Sequence, residues 1–127
     1  MYKRQVYDGA TLTGYEGNSG NANYDDGPAV YAAGYGQWII EDGATLTGGE
    51  ALNIKSGQFT INGGQFTANG KYFDPATSWG NGTEATGAAV SVTYHKSYAG
   101  NVEIEISNGE FTSANGYACL LYTSRCV

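Results

Sequence analysis

Pairs of acidic side chains are the residues of this chain that could do chemistry, because two carboxylates can share the acid and base roles of glycoside hydrolysis. The candidate pairs are Asp25 with Asp26, Glu41 with Asp42, and Glu103 with Glu105. Strand geometry puts the last two side chains on one face, about 7 Å apart. Outward carboxylates also discourage the aggregation of sheets, and this structural role is favoured over catalysis for each pair. No catalytic residue is assigned.

The single histidine is a second candidate. General acid–base catalysis by His95 would need a partner within hydrogen-bond reach, and its neighbours in Thr93-Tyr94-His95-Lys96 supply none. We therefore expect a solvated histidine, and no transition-metal site.

A segment rich in oxygen ligands, residues 17–27, would suit a hard cation such as calcium. It lacks the spacing of an EF-hand loop and the nonapeptide of calcium-binding β-rolls. A plain loop is predicted there. No metal and no cofactor is expected anywhere in the chain.

Glycine content limits the elements that can position these residues. The chain has 127 residues, of which 20 are glycine, and each glycine costs about 1 kcal/mol in a helix relative to alanine. A helix bundle is therefore excluded, and collagen is excluded because glycine does not recur at every third residue. No apolar run reaches the roughly 18 residues of a transmembrane helix.

Both ends of the chain resemble translated sequencing-adapter DNA, read in two orientations. The matching stretches are Met1–Gln5 and Cys119–Val127. We predict that residues 1–5 and 119–127 are adapter-derived and that residues 6–118 are a natural metagenomic fragment, cut at both ends. Without the adapter residues, Lys+Arg falls from 6 to 3 while all 12 acidic residues stay, so the net charge changes from −6 to −9. Both cysteines are adapter-derived too, so no disulfide is expected.

An internal repeat organises the natural segment. Asp8–Gly14 recurs identically as Asp42–Gly48. Gly-x-Phe-Thr occurs at Gly57, Gly64 and Gly109, and Gly-x-Ala followed by an aliphatic residue occurs at Gly27, Gly49 and Gly87. These units tile the chain as two copies of equal length, Gly27–Gly48 and Gly49–Gly70, then an insertion, Lys71–Thr86, and a longer copy, Gly87–Asn115.

Each copy holds three short alternating runs, which predicts an all-β parallel β-helix of about 22 residues per coil. Coil stacking should place Phe66 over Phe111 in one inward column, and Ala29, Ala51 and Ala89 in another. The insertion, residues 71–86, should loop outward. Two alternatives remain. Disorder is one, because Leu, Ile, Val and Phe together fall below the rough 20% typical of a folded domain. A β-sandwich is the other, although it does not explain the repeat.

The repeat motifs resemble right-handed parallel β-helix repeats of the pectate-lyase-like kind, most like those in large surface proteins of gut Firmicutes and related bacteria. The resemblance covers nearly all of residues 6–118. It implies a secreted, modular parent protein at the bacterial cell surface, with adhesion or carbohydrate contact.

The same resemblance raises an enzyme alternative, because this fold hosts polysaccharide lyases and glycoside hydrolases. Pectate lyases use an arginine base, and the natural segment has no arginine. The Gly-His-Gly and Arg-Ile-Lys motifs of polygalacturonase-like enzymes are also missing. The fragment is therefore not expected to be an enzyme, although catalytic residues of a carbohydrate-active parent could lie outside it.

Binding is the favoured class, as a stalk or adhesin-like module. The residues predicted to contact a ligand are Trp79, Tyr72, Phe73 and Trp38, with Tyr31 and Tyr35 on the coil face. Core packing of Trp38 is an equal alternative. The expected partners are a polysaccharide, a host surface glycan or protein, and neighbouring coils of the parent chain. The negative charge argues against nucleic acid and anionic membranes, and no membrane insertion is expected.

Overall fold

The computed structural model describes residues 2–14, 27–72, 86–93 and 101–122. These residues form strands and no helix, so none of them belongs to a helix that could cross a membrane. In chain order the strands are β1 (Tyr2–Val6), β2 (Thr11–Thr13), β3 (Pro28–Ala32), β4 (Gly36–Ile40), β5 (Thr45–Gly48), β6 (Glu50–Ile54), β7 (Gly57–Ile61), β8 (Gln65–Ala68), β9 (Val90–Thr93), β10 (Val102–Ile106), β11 (Glu110–Ser113) and β12 (Cys119–Tyr122).

Each of the first nine strands pairs in parallel with the strand three positions later in the chain. Three four-stranded sheets result: sheet 1 contains β1, β4, β7 and β10, sheet 2 contains β2, β5, β8 and β11, and sheet 3 contains β3, β6, β9 and β12. The chain thus runs as stacked coils with one strand in each sheet, a β-solenoid. The all-β class and the parallel coils are confirmed, and antiparallel sandwich pairing is not found among the described strands.

Coil length follows the repeat where no insertion intervenes. Gln37 of β4 pairs with Gln58 of β7, 21 residues away. The spacing grows to 45 residues between Gly70 and Asn115, which lie in adjacent coils. Most of the predicted insertion, residues 73–85, lies outside the described residues, so its outward course stays a prediction.

Like residues stack in the core, as the repeat predicts. Phe66 pairs with Phe111 across β8 and β11, with ring centroids 4.8 Å apart and planes at 15°. Ala51 and Ala89 are fully buried within the hydrophobic core, and Ala29 packs against it. This continuous core is inconsistent with the disorder alternative, because complete burial of each large apolar side chain contributes about 1.5–3 kcal/mol.

The repeated Asp-Gly pairs form one corner, between sheets 1 and 2. Gly9 donates its N–H to the Gly43 carbonyl at 3.1 Å. Gly43 has a φ of +87°, and a Cβ there would collide with the carboxylate of Asp8. Only glycine satisfies both conditions, which explains why the pair recurs unchanged.

The stretches predicted to be adapter-derived contribute to the outermost strands. Tyr2–Gln5 make up most of β1, and Cys119 begins β12. Arg4 stands in the register column of Trp38, where the core-facing residues of the later strands are apolar.

Candidate functional site

The three sheets differ in what covers their outer faces. On sheet 1 the outward side chains of Gln37 and Glu103 are exposed, and on sheet 2 that of Thr112 is exposed. On sheet 3, in contrast, every residue of β6 is buried. Alternation along a strand points Asn53 away from the core, yet it has no exposed surface. The outer face of sheet 3 is therefore covered at β6, whereas Tyr31, the partner of Asn53 in β3, is exposed.

Six polar residues are buried in this region, and we call them the buried polar cluster: Glu50, Asn53, Lys55, Ser56, Thr86 and Ser91. They belong to β6, the turn after it, the return of the insertion, and β9. Register places Asn53 beside Ser91 in adjacent coils. Fully buried glutamate and lysine are rare unless they are paired, so the cluster is the part of the described structure that departs most from a plain solenoid.

Glu50 is the centre of this cluster. Its Oε1 accepts a hydrogen bond from the backbone N–H of Thr86, and the nearby Thr86 and Asn53 side chains also favour its charged form. Among the described residues, Oε2 has no partner. Burial raises the pKa of Glu50 from its ordinary 4.5 to about 7, against the opposing effects of these polar groups and the positive charge of Lys55. The carboxyl group therefore titrates near neutral pH.

A glutamate with a pKa near 7 has the proton affinity that general acid–base chemistry requires. The Glu50 side chain, however, has no exposed surface through which a substrate could reach it. What the arrangement does directly is hold Thr86, the last residue of the predicted insertion.

We use the name insertion root for Gly70, Lys71, Thr86 and Gly87, where the chain leaves and rejoins the coil. Gly87 has a φ of +75°, and a Cβ there would lie 2.7 Å from the Lys71 carbonyl oxygen. The outgoing and returning backbones therefore touch, and glycine is required at the contact.

Two side chains of the next coil donate hydrogen bonds to the insertion root. Ser113 Oγ donates to the Gly87 carbonyl at 2.6 Å, and Asn115 Nδ2 donates to the Gly70 carbonyl at 3.0 Å. Together with Glu50, these side chains hold both ends of the insertion against the coils.

An exposed pair of aromatic rings lies beside the insertion root. Tyr72, one of the predicted contact residues, is 48% exposed and meets Tyr117, which is 55% exposed. Their ring centroids are 5.9 Å apart with planes at 77°. Tyr117 was not predicted from the sequence, although it follows Asn115 at the same interval at which Tyr72 follows Gly70. The predicted contacts Phe73 and Trp79 lie outside the described residues.

The fourth predicted contact residue, Trp38, packs against the core. Its ring stacks on Phe59 with centroids 5.8 Å apart and planes at 6°, and Arg4 lies over it at 5.2 Å from the ring centroid. This packing of the Trp38 ring corresponds to the core-packing alternative that the sequence left open. Tyr31 and Tyr35 are exposed by 36% and 44%.

The two acidic pairs within the described residues make hydrogen bonds at a corner or face solvent. Glu41 accepts from Gln5 Nε2 at 2.9 Å and from Asn62 Nδ2 at 3.2 Å, and Asp42 accepts from the Gly43 N–H at 3.1 Å. Both glutamates of β10, Glu103 and Glu105, are exposed. Asp25, Asp26 and His95 lie outside the described residues, as does most of segment 17–27. Within the described ranges, no three His, Cys, Asp or Glu side chains are grouped to hold a metal ion.

Comparison with known proteins adds no relative: no family model matches the chain, and searches of curated proteins and solved structures found no match.

Proposed function

We propose that the chain is a segment of right-handed parallel β-helix from a secreted or cell-surface bacterial protein, in which it acts as a stalk that presents the insertion, residues 71–86, to a partner. The observation that carries this proposal is the stacking of coils in three continuous parallel sheets. Such coils bury their inward faces on one another and leave their corners free to carry loops. Neighbouring coils of a longer parent chain are proposed as further partners.

The proposed ligand is a polysaccharide, or a glycan or protein on a host surface. Support comes from the exposed rings of Tyr72 and Tyr117 beside the insertion root, because aromatic faces with polar edges suit sugar rings. The net charge of −6 favours neutral or cationic ligands over nucleic acid or anionic lipid.

The test is binding of the full chain to an array of neutral and charged glycans. The double variant Tyr72→Ala with Tyr117→Ala should lose at least about tenfold in affinity, a typical cost for removing aromatic anchors. The matched control is Tyr2→Ala with Tyr7→Ala, which removes two tyrosines that are 78% and 65% exposed and lie in or next to β1, away from the insertion root. Equal binding by both double variants would contradict this contact surface.

A fragment of a carbohydrate-active β-helix enzyme, with its catalytic residues outside this chain, is the second candidate, and the parallel stacking of the coils is the observation compatible with it. Cleavage of pectin or another polysaccharide, by this chain or by a longer stretch of its parent, would establish it and overturn the stalk proposal.

A further inference from the structure

The described coils present free strand edges at both ends of the stack. In each sheet the first strand (β1, β2 or β3) and the last strand (β10, β11 or β12) pair with a described strand on one side only. We call these two groups of strands the first-coil edge and the last-coil edge. Backbone N–H and C=O groups on the free side of such a strand form a template for pairing with another chain.

The two edges carry opposite charge. The charged residues in the strands of the first-coil edge are Lys3 and Arg4, which are positive and exposed. In the last-coil edge they are Glu103, Glu105 and Glu110, which are negative and exposed. The positive edge of one copy of the chain therefore complements the negative edge of another copy, and such complementarity favours this orientation over others.

Register extends this match to single residues. In sheet 1 the column that begins at Lys3 passes through the glutamines of β4 and β7 and ends at Glu103. When the first-coil edge of one copy continues the last-coil edge of another in the same register, Lys3 faces Glu103 across the new junction. Opposite charges directly across a pair of strands attract each other, and like charges repel.

Two inward columns continue across the same junction. The column of Val6 ends at Ile106, which is 44% exposed. The column of Leu12 ends at Phe111, and both of these side chains are only partly buried. Docking in register therefore places Val6 on Ile106 and Leu12 on Phe111, as coils stack within the solenoid.

Arg4 opposes this docking. It begins the inward column that passes through Trp38 and ends at Ile104. Docking would remove its guanidinium group from water, and inward-pointing charges are one means by which proteins limit pairing at sheet edges. We therefore expect association at these edges to be weak and reversible.

We propose that the chain associates head to tail with further copies of itself, through parallel pairing of the first-coil edge of each copy with the last-coil edge of the next. The contact joins two different surfaces along the solenoid axis, so association continues past a dimer into open filaments. Strands in these filaments lie across the axis and repeat at about 4.8 Å. Lys3 and Arg4 belong to the stretch predicted to be adapter-derived, so the proposal concerns the chain of 127 residues itself. It does not depend on the stalk function, which would stand if the chain failed to associate.

The test is sedimentation velocity of the full chain over a range of concentrations at one ionic strength. A reductant is included because Cys119 is exposed and has a free thiol. The average mass should increase with concentration beyond that of a dimer, and electron microscopy of the most concentrated sample should show unbranched filaments. A chain that stays monomeric at millimolar concentration, or that stops at a dimer, would overturn the proposal.

Charge reversal tests the register. Lys3→Glu places like charges across the junction and should weaken association about fivefold. Adding Glu103→Lys to the same chain should restore the affinity of the unaltered chain. Glu103→Lys alone provides the same test from the other edge if Lys3→Glu does not fold. Failure of the double variant to recover would contradict docking in this register.

The matched control is Lys71→Glu, which changes the net charge by the same amount at an exposed residue of the insertion root. Its association should stay within about twofold of that of the unaltered chain, because it lies away from both edges and is screened by salt. Equal weakening by Lys71→Glu and Lys3→Glu would show that only net charge matters, and would contradict the junction.

Arg4→Leu tests the inward columns. An apolar side chain in the column of Trp38 removes the charge that docking would bury, so association should tighten at least about tenfold. Circular dichroism should show the same β-sheet signal for this variant as for the unaltered chain. A folded Arg4→Leu variant that associates no more strongly would contradict continuation of the core across the junction.

Discussion

Glu50 accepts a hydrogen bond from the backbone N–H of Thr86, which lies 36 residues later in the chain. A carboxyl group with no exposed surface in β6 therefore holds the residue that closes the insertion root. This contact joins the solenoid to the insertion that the proposed stalk presents, and its energetics depend on pH.

Stability should fall as the pH rises through the range in which Glu50 ionises. The pKa of Glu50 is about 7 in the folded chain against an ordinary 4.5, so between these values the folded state binds more protons than the unfolded state. Linkage then makes the free energy of unfolding decrease with rising pH, by about 3 kcal/mol across this window for Glu50 alone.

Urea unfolding across this pH range measures the effect. Because other acids titrate as well, the quantity to compare is the difference between the wild-type chain and Glu50→Gln. If the difference between their free energies of unfolding stays constant with pH, Glu50 does not ionise with a raised pKa in the folded chain.

Substitution of Glu50 separates its charge from its hydrogen bond. Glu50→Gln keeps an oxygen for the Thr86 N–H and removes the ionisable group, so its stability relative to the wild type should increase as the pH rises through the range in which Glu50 ionises. Glu50→Ala leaves the Thr86 N–H without this acceptor and should lose about 1–3 kcal/mol relative to Glu50→Gln. Glu103→Gln, which changes an exposed glutamate of β10, is the control and should change stability by less than about 0.5 kcal/mol.

Gly87→Ala should destabilise the insertion root. The new Cβ would lie 2.7 Å from the Lys71 carbonyl, and the φ of +75° is unfavourable for alanine. Together these effects should cost about 2 kcal/mol or more in urea unfolding. Gly34→Ala is the matched control, because a Cβ at that position would have no atom within 4 Å. Equal free energies of unfolding for the two variants would show that the outgoing and returning backbones do not touch at Gly87.

The stacked rings of Phe66 and Phe111 should contribute jointly to the core. Phe66→Ala should cost about 3–5 kcal/mol, since Phe66 is fully buried. Phe111→Ala should cost less, because Phe111 is only partly buried. The double variant should lose less than the sum of the single losses, because the contact between the rings is lost only once. Strict additivity would contradict their stacking.

Local repetition explains which parts of this structure could be predicted. The recurring Asp-Gly and Gly-x-Phe-Thr units predicted the coils and the column of Phe66 and Phe111, because each strand of a solenoid contacts its own repeat in the next coil. Glu50 could not be recognised in this way. It stands in an ordinary repeat unit, Gly49-Glu50-Ala51-Leu52. Its burial depends on Thr86 and on the other residues that cover β6, and the repeat does not encode these contacts.

Contacts between coils test the central claim most directly, since the proposed stalk depends on parallel stacking. In NMR spectra of the isotopically labelled chain, we predict nuclear Overhauser contacts from the Phe66 ring to both Leu46 and Phe111, its register partners in the adjacent coils. A folded chain in which Phe66 contacts neither residue, or in which β8 pairs antiparallel with its neighbours, would contradict the β-solenoid and the function proposed for it.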